Sequence, residues 1–270
     1  SKRRRKIFKM TEQDILNLKN QGYTILRNKV PQEWINKLSL GIDNAFIEHR
    51  KTQIQNNNDI TTGGVALHAL LSDTIFIDFL DFLIKENFIK DLEDNYFKSN
   101  CILNSLSALN NLPNQPNFSA NIHRDLRFYS YNLPTMVNCL LMVDDFTYKN
   151  GATFLLPYSH LKEEKPTDEE FFKTAIQAIG KKGDLIVFDS NIWHSSAPNN
   201  TDKGRRGIPI TISRSFMKQL LDYPRALGYN EINKFNPKLQ QLLGYYSRVP
   251  SSLNEWYQPE EKRFYKKNQD

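Results

Sequence analysis

The sequence predicts a mainly β fold with peripheral helices, a sandwich or jelly roll, and three observations predict it. Helix signals concentrate before Cys101, whereas residues 101–217 break into short apolar runs separated by Pro, Asn and Gly, the pattern of a many-stranded antiparallel fold. Several of those runs alternate in the period of a strand, as in Val137, Cys139, Leu141 and Val143. The 270 residues are 39% hydrophobic and 12% aromatic, enough to bury the core of one large domain.

The elements follow in order. Thr11 can cap a helix through Asn20, and Gly22-Tyr23-Thr24-Ile25-Leu26 then reads as a strand. Pro31 suits the first turn of a helix reaching about Arg50. Residues 51–64 are Asn- and Thr-rich without periodicity and predict a mobile loop, while Asp73 to Phe97 carries apolar residues at helical spacing. Cys101–Leu109, Thr135–Val143, Ala152–Leu156, Asp184–Asp189 and Ile208–Phe216 predict strands, with a charged, helix-like insertion over Lys162–Ile179. The expected organisation is a basic tail over 1–9 and a single domain over 10–270. Within that domain we expect a helical first part, a barrel core over about 100–217 and a C-terminal extension over 218–270.

Composition excludes several classes. Cys101 and Cys139, both inside apolar runs, are too few for a disulfide scaffold and read as buried thiols in a reducing cytosol. No apolar stretch is long enough to cross a bilayer, and the basic start is not followed by the apolar core of a signal peptide, so a cytoplasmic location is expected. Lys2, Arg3, Arg4, Arg5, Lys6 and Lys9 carry as many charges as the formal net charge of +6. The remainder of the chain is therefore balanced, which argues against a nucleic-acid-binding body.

Chemistry enters at His123-Arg124-Asp125. On an extended segment residues two apart project from one face, so one imidazole and one carboxylate can grip one metal ion. His194 ends the run Gly183 to Trp193. Ser196 lies two residues on, and Arg205 follows the Pro198–Gly204 turn. If the flanking strands form a hairpin, Arg205 returns beside His194 and offers a guanidinium to a carboxylate, with Arg206 as its competitor if the turn shifts by one residue. His160 reads as a structural or capping residue at a hairpin end, and His49 and His68 have no partner pattern.

This order and spacing resemble the phytanoyl-CoA dioxygenase family, the iron(II)- and 2-oxoglutarate-dependent oxygenases of the ectoine hydroxylase type. The resemblance extends to Asn150-Gly151 and Pro157-Tyr158-Ser159-His160, where Tyr158 stands in place of the usual Gly, and to Gly22-Tyr23 and Leu243-Gly244-Tyr245. It implies a double-stranded β-helix core, a jelly roll of the cupin-like kind. It also implies iron(II) on His123, Asp125 and His194, with Ser196 and Arg205 on the far carboxylate of 2-oxoglutarate. Dioxygen takes the remaining position, and hydroxylation of an unactivated C–H releases succinate and carbon dioxide. Asn110, thirteen residues before His123, matches an Asn that contacts the co-substrate in ectoine hydroxylase.

The rest is read from the residues alone. Asn138 alternates with Met136, Leu140 and Met142, and so would reach a ligand if that face is the interior. Arg124, Arg127, Tyr129 and Tyr131 surround the motif and suit a small polar or anionic substrate rather than a fatty acyl-CoA, with neither nucleic acid nor membrane as partner. The alternatives are a cupin-like metalloenzyme that does not use 2-oxoglutarate and a non-catalytic ligand-binding barrel.

Overall fold

The computed structural model describes residues 9–58, 64–115 and 120–269. Most of the basic tail, at 1–8, and residues 59–63 of the expected loop lie outside the described residues.

α1 (Glu12–Gln21) begins in a capping box between Thr11 and Asp14 and ends at Gly22, whose φ of 88° is left-handed. β1 (Tyr23–Leu26) follows, and then α2 (Gln32–Gln55), with Pro31 as its N-cap. The helix therefore runs past Arg50 into the segment expected to be a loop. Its inner face buries Leu38, Ile42 and Ala45, and the largely polar, solvated residues 51–55 continue it, where Gln and Lys favour helix. After β2 (Val65–Ala66), α3 (Ile75–Lys85), α4 (Phe88–Asp91) and a π-helical turn over Leu92–Phe97 complete the helical part.

The strand expected over Cys101–Leu109 is two strands, β3 (Cys101–Leu106) and β4 (Ala108–Asn111). The break has a physical cause in the neighbouring strand. The backbone N–H of Ser107 donates to Pro209 O at 3.0 Å, but Pro209 has no N–H to return, so the ladder lapses there. β5 (Met136–Met142), β6 (Phe154–Leu155) and β8 (Leu185–Asp189) match the predicted runs in shortened form. The expected insertion holds α5 (Asp168–Thr174) and β7 (Ile176–Gln177), while β9 (His194–Ser195) and β10 (Arg205–Arg214) end the core. The extension carries α6 (Tyr223–Leu227), α7 (Pro237–Leu242) and α8 (Leu253–Trp256).

The strands form a jelly roll of two sheets, in the orders β1-β8-β5-β10-β4-β2, with β3 also on β10, and β7-β6-β9. One face of the large sheet, with Val137, Cys139, Leu141, Ile208, Ile210 and Ile212, packs against helix residues such as Leu18, Leu38, Phe76 and Leu80. The other face presents Leu140, Met142, Ile186 and Phe188 to Leu155 and Ile192 from the small sheet and its loop. Asn138 shares that inner face. Helix makes up 38% of the residues and strand 19%, so the β character lies in the core that carries the site. No helix among the described residues is long and apolar enough to cross a membrane.

The Pro157–His160 corner ties the small sheet to α1. Tyr158 N donates to Gln21 O at 2.9 Å, and the ring Nε2 of His160 lies 2.9 Å from Lys19 O, so His160 is a structural residue. Tyr158 has φ 66°, the left-handed conformation that Gly adopts freely and other L residues adopt at a cost. Because its ring is 56% exposed and little packing is lost, Tyr158→Gly is expected to stabilise the fold by up to about 1 kcal/mol. A lower midpoint in urea unfolding would contradict this.

Candidate metal centre

His123 and the first residue of β9, His194, form an antiparallel bridge, His123 N to His194 O at 3.0 Å and His194 N to His123 O at 2.9 Å. This pairing brings the two rings together, 4.3 Å between centroids and tilted by 49°. Asp125, two residues on, projects to the same side. Its backbone is held by Ser190 O, which accepts from Asp125 N and Leu126 N, both at 3.2 Å. Asp125 Oδ1 lies 3.7 Å from His123 Nε2, Oδ2 lies 3.6 Å from His194 Nε2, and one ligand atom from each residue falls within 4.8 Å of the others.

The ring tautomers follow from the backbone. His123 Nδ1 lies 2.7 Å from Asn121 O and His194 Nδ1 lies 3.0 Å from Ile192 O. A carbonyl only accepts, so each Nδ1 carries the proton and each Nε2 turns its lone pair to the centre, as a metal ligand must. Burial pushes the His194 pKa down, opposed by the Asp125 carboxylate. Two neutral imidazoles and one carboxylate on one side of a point suit iron(II) with open positions, and the donor set fits.

Asn138 stands behind the carboxylate. Its Nδ2 donates to Asp125 Oδ2 at 2.6 Å and to Ser190 Oγ at 2.9 Å, and its Oδ1 accepts from Thr211 Oγ1 at 2.8 Å. The chain Thr211–Asn138–Asp125 aims one carboxylate from two central strands. Asn138→Ala is therefore expected to weaken iron(II) affinity by roughly tenfold or more without removing a ligand, the usual effect of losing a partner behind a ligand. Unchanged affinity in an anaerobic titration would show that Asp125 orients itself.

Arg205 opens β10 and is 1% exposed. Its Nη2 donates to Gly151 O at 2.7 Å, and its guanidinium carbon lies 4.0 Å from the Phe146 ring centroid. Gly151 is required here: at φ 80° it lies so close to the chain that an added Cβ would meet Ala197 O at 2.4 Å. Nη1 of Arg205 is buried without a hydrogen-bond partner. Burial brings the pKa down to about 10, so the group is still cationic at neutral pH. A buried cation with an unused donor fits a carboxylate-bearing co-substrate such as 2-oxoglutarate. Arg206 faces the other way, with Nε and Nη2 on Asp144 at 3.0 and 3.1 Å.

A cavity of about 490 Å³ holds the triad, Ser196, Asn138 and Arg127 in its wall, and Arg205 lies behind that wall, on the strand face of Pro209 and Thr211 that line it. Arg124 is not brought into it. Its guanidinium lies over Trp193, 4.2 Å from the centroid, and donates to Lys162 O at 2.7 Å, because its side chain alternates away from those of His123 and Asp125. Tyr129 and Tyr131 pack edge to face 5.9 Å apart, outside the wall. Asn110 pairs in register with Arg206, on the side turned from the cavity, whereas Asn111 pairs with Arg205 and donates to Ala197 O at 3.2 Å. Thr153, Ser190, Thr211 and Asn111 were not singled out from the sequence. Only Thr211 carried a usable signal, as a polar residue alternating with isoleucines in a strand.

A family model described as phytanoyl-CoA dioxygenase matches residues 18–207. The uncharacterized proteins Mb1539 of Mycobacterium bovis and Rv1501 of Mycobacterium tuberculosis are each 39% identical over 164 residues, 58% of this chain and 60% of theirs. The chain thus matches less than two thirds of either relative. Dioxygenase olcK of Penicillium canescens is 25% identical over 251 residues, 86% of this chain and 80% of that protein. Among solved structures, AviO1 from Streptomyces viridochromogenes superposes with a TM-score of 0.55 at 18% identity, over 74% of this chain and 93% of its own. SnoN, a non-heme alpha ketoglutarate dependent epimerase from nogalamycin biosynthesis, does so with 0.55 at 14% identity, over 75% and 82%. At such identities the two superpositions speak to the fold. The family match covers both halves of the metal centre and Arg205, and the chain belongs to the phytanoyl-CoA dioxygenase family.

Proposed function

We propose that the protein is an iron(II)- and 2-oxoglutarate-dependent dioxygenase that hydroxylates an unactivated C–H of a small metabolite. The observation that carries this reading is the pairing of a convergent His123, Asp125 and His194 cluster with a buried, under-bonded Arg205. Iron(II), 2-oxoglutarate and dioxygen supply the oxidation when bound, with succinate and carbon dioxide as by-products.

The residues divide the remaining work. His123, Asp125 and His194 hold the metal, Arg205 with Ser196 receives the distal carboxylate, and Asn138 orients Asp125. Asn110 is turned from the cavity, its Oδ1 buried without a hydrogen-bond partner, and Asn138 supports the metal ligand, so neither is assigned to the co-substrate. Leu109, Leu140 and Phe188 give the cavity an apolar floor, while Asn104, Ser107, Thr211 and Arg127 give it polar edges. That mixture suits a substrate with both apolar surface and hydroxyl or anionic groups.

Anaerobic titration of iron(II) and then 2-oxoglutarate, followed by the visible charge-transfer band of the chelate, tests the reading. Metal binding without the band would favour a metalloenzyme that does not use 2-oxoglutarate. No metal binding would leave a non-catalytic barrel.

A further inference from the structure

Residues beyond the family match build a second concavity. A groove of about 980 Å³ lies between the end of β10 and the C-terminal extension, and Met217, Lys218 and Leu220 line both it and the triad cavity. The segment they belong to is fastened to β3 and α7: Leu220 N donates to Asn104 O at 3.2 Å, and Gln219 Nε2 to Leu103 O and Leu243 O at 2.7 and 3.2 Å. The groove is thus a built feature adjoining the triad cavity.

Its charges are unevenly committed. Arg248 is half-buried between two rings, its guanidinium carbon 3.5 Å from the Tyr229 centroid and 4.2 Å from that of Phe264. Both faces of the guanidinium are covered, which leaves its N–H edge, and among the described residues that edge has no hydrogen bond or ion pair. Lys266, over the Tyr246 ring at 5.7 Å, and Lys218 add two ammonium groups. Two acids offset part of this charge, Asp222 in the groove wall and Glu255, whose pKa is held down by its Ser251 hydrogen bonds and, to a lesser extent, by Arg248, but both carboxylates are also tied to the backbone. Asp222 caps α6 through Arg225 N at 3.1 Å, and Glu255 accepts from Ser251 N and Oγ at 2.6 and 2.9 Å. Trp256 stacks on Tyr265, 5.6 Å between centroids, and is 52% exposed, which leaves indole surface open.

Three cations around one groove call for more than one negative charge, and a fixed guanidinium edge suits phosphate oxygens. An open indole face suits a planar ring. The volume is that of a nucleotide-sized site. We propose that this groove binds a nucleoside diphosphate group, the non-reacting end of a substrate whose other end reaches the triad cavity past Met217 and Leu220. The link to a substrate rests on the oxygenase reading, whereas the binding itself does not.

The test is calorimetric titration of the full chain with uridine diphosphate and, separately, inorganic pyrophosphate, without iron or 2-oxoglutarate. Uridine diphosphate is expected to bind with a sub-millimolar Kd, weakened roughly tenfold or more by Arg248→Gln and by Lys266→Glu. Trp256→Ala should weaken uridine diphosphate but not pyrophosphate, and Asp125→Ala should change neither. Circular dichroism of each variant separates loss of the site from loss of the fold. Absence of binding at millimolar ligand, or binding that Arg248→Gln leaves intact, overturns the site. Mn(II) at the triad, its occupancy read by electron paramagnetic resonance, should speed relaxation of the bound ligand's phosphorus signals beyond the effect seen with Asp125→Ala, which accounts for Mn(II) chelated by the diphosphate itself. Occupied metal with no such effect overturns the continuity between groove and triad cavity, and failure of Mn(II) to bind counts against the metal centre alone.

Discussion

His194→Ala, His123→Ala and Asp125→Ala are each expected to lose iron(II) binding and succinate formation while keeping the fold. The three side chains converge on one point, and two imidazoles with one carboxylate grip the ion together while leaving positions open for ligands, so truncating any one removes a third of the protein's hold on it. The backbone bridge between positions 123 and 194 is made by main-chain atoms and survives truncation of either ring. Of the three, His194 is the most buried, and its ring packs edge to face on Phe188 at 5.1 Å, so its truncation should also cost about 1 kcal/mol of stability or more. Anaerobic metal titration beside thermal unfolding separates the two effects. Retained stoichiometric iron in any one variant would remove that residue from the ligand set.

Arg205→Ala is expected to raise the 2-oxoglutarate requirement roughly ten- to a hundredfold with iron affinity nearly unchanged, and Arg206→Ala to do neither. A charge-assisted hydrogen bond is worth on the order of 1.5–3 kcal/mol, and each 1.4 kcal/mol is about tenfold in affinity. Arg205 lies buried on the inward face of β10, which it shares with Pro209 and Thr211 of the cavity wall. Lys in its place should restore only part of the affinity, because a point charge does not reproduce the planar fork. Ser196→Ala removes a neutral donor and should lose less, about 1 kcal/mol. Arg206 spends its guanidinium on Asp144 in a partly exposed pair, so its removal affects stability by about 1 kcal/mol at most. A large co-substrate effect at Arg206 with none at Arg205 would mean that Arg205 is purely structural, held by Gly151 and Phe146.

What could be read along the chain was whatever a local period or a motif encodes. The cap at Thr11, the strand after Gly22, the alternation in 136–143 and the His-x-Asp pair are all set by neighbours within a few residues, and the structure holds each of them. The preference for Arg205 over Arg206 came from the family's spacing beyond the distal His, and the hairpin expected between their strands does not form, because β9 pairs with β6 in the small sheet while β10 pairs with β3, β4 and β5 in the large one. The limits of α2 and the split at Ser107 were not open to sequence reasoning. The first depends on which helical residues find a core to cover, and the second on a proline in a strand about a hundred positions later.

The roles of polar residues near the site were decided by tertiary structure alone. Arg124 lies next to two metal-binding residues in sequence yet stacks on Trp193, because adjacent residues of an extended segment face opposite ways. Asn138 faces inward as its alternation required, but Asp125 and Thr211 reach its amide first, which makes it a support for the metal ligand. The groove around Arg248 joins residues from several separate segments, most of them in the extension, and no spacing in the sequence announces it. A motif states which atoms can bind an ion, since that is a property of the side chains. Which neighbours use up or spare a hydrogen-bonding group is a property of the packed chain, and only there does a buried arginine become a site.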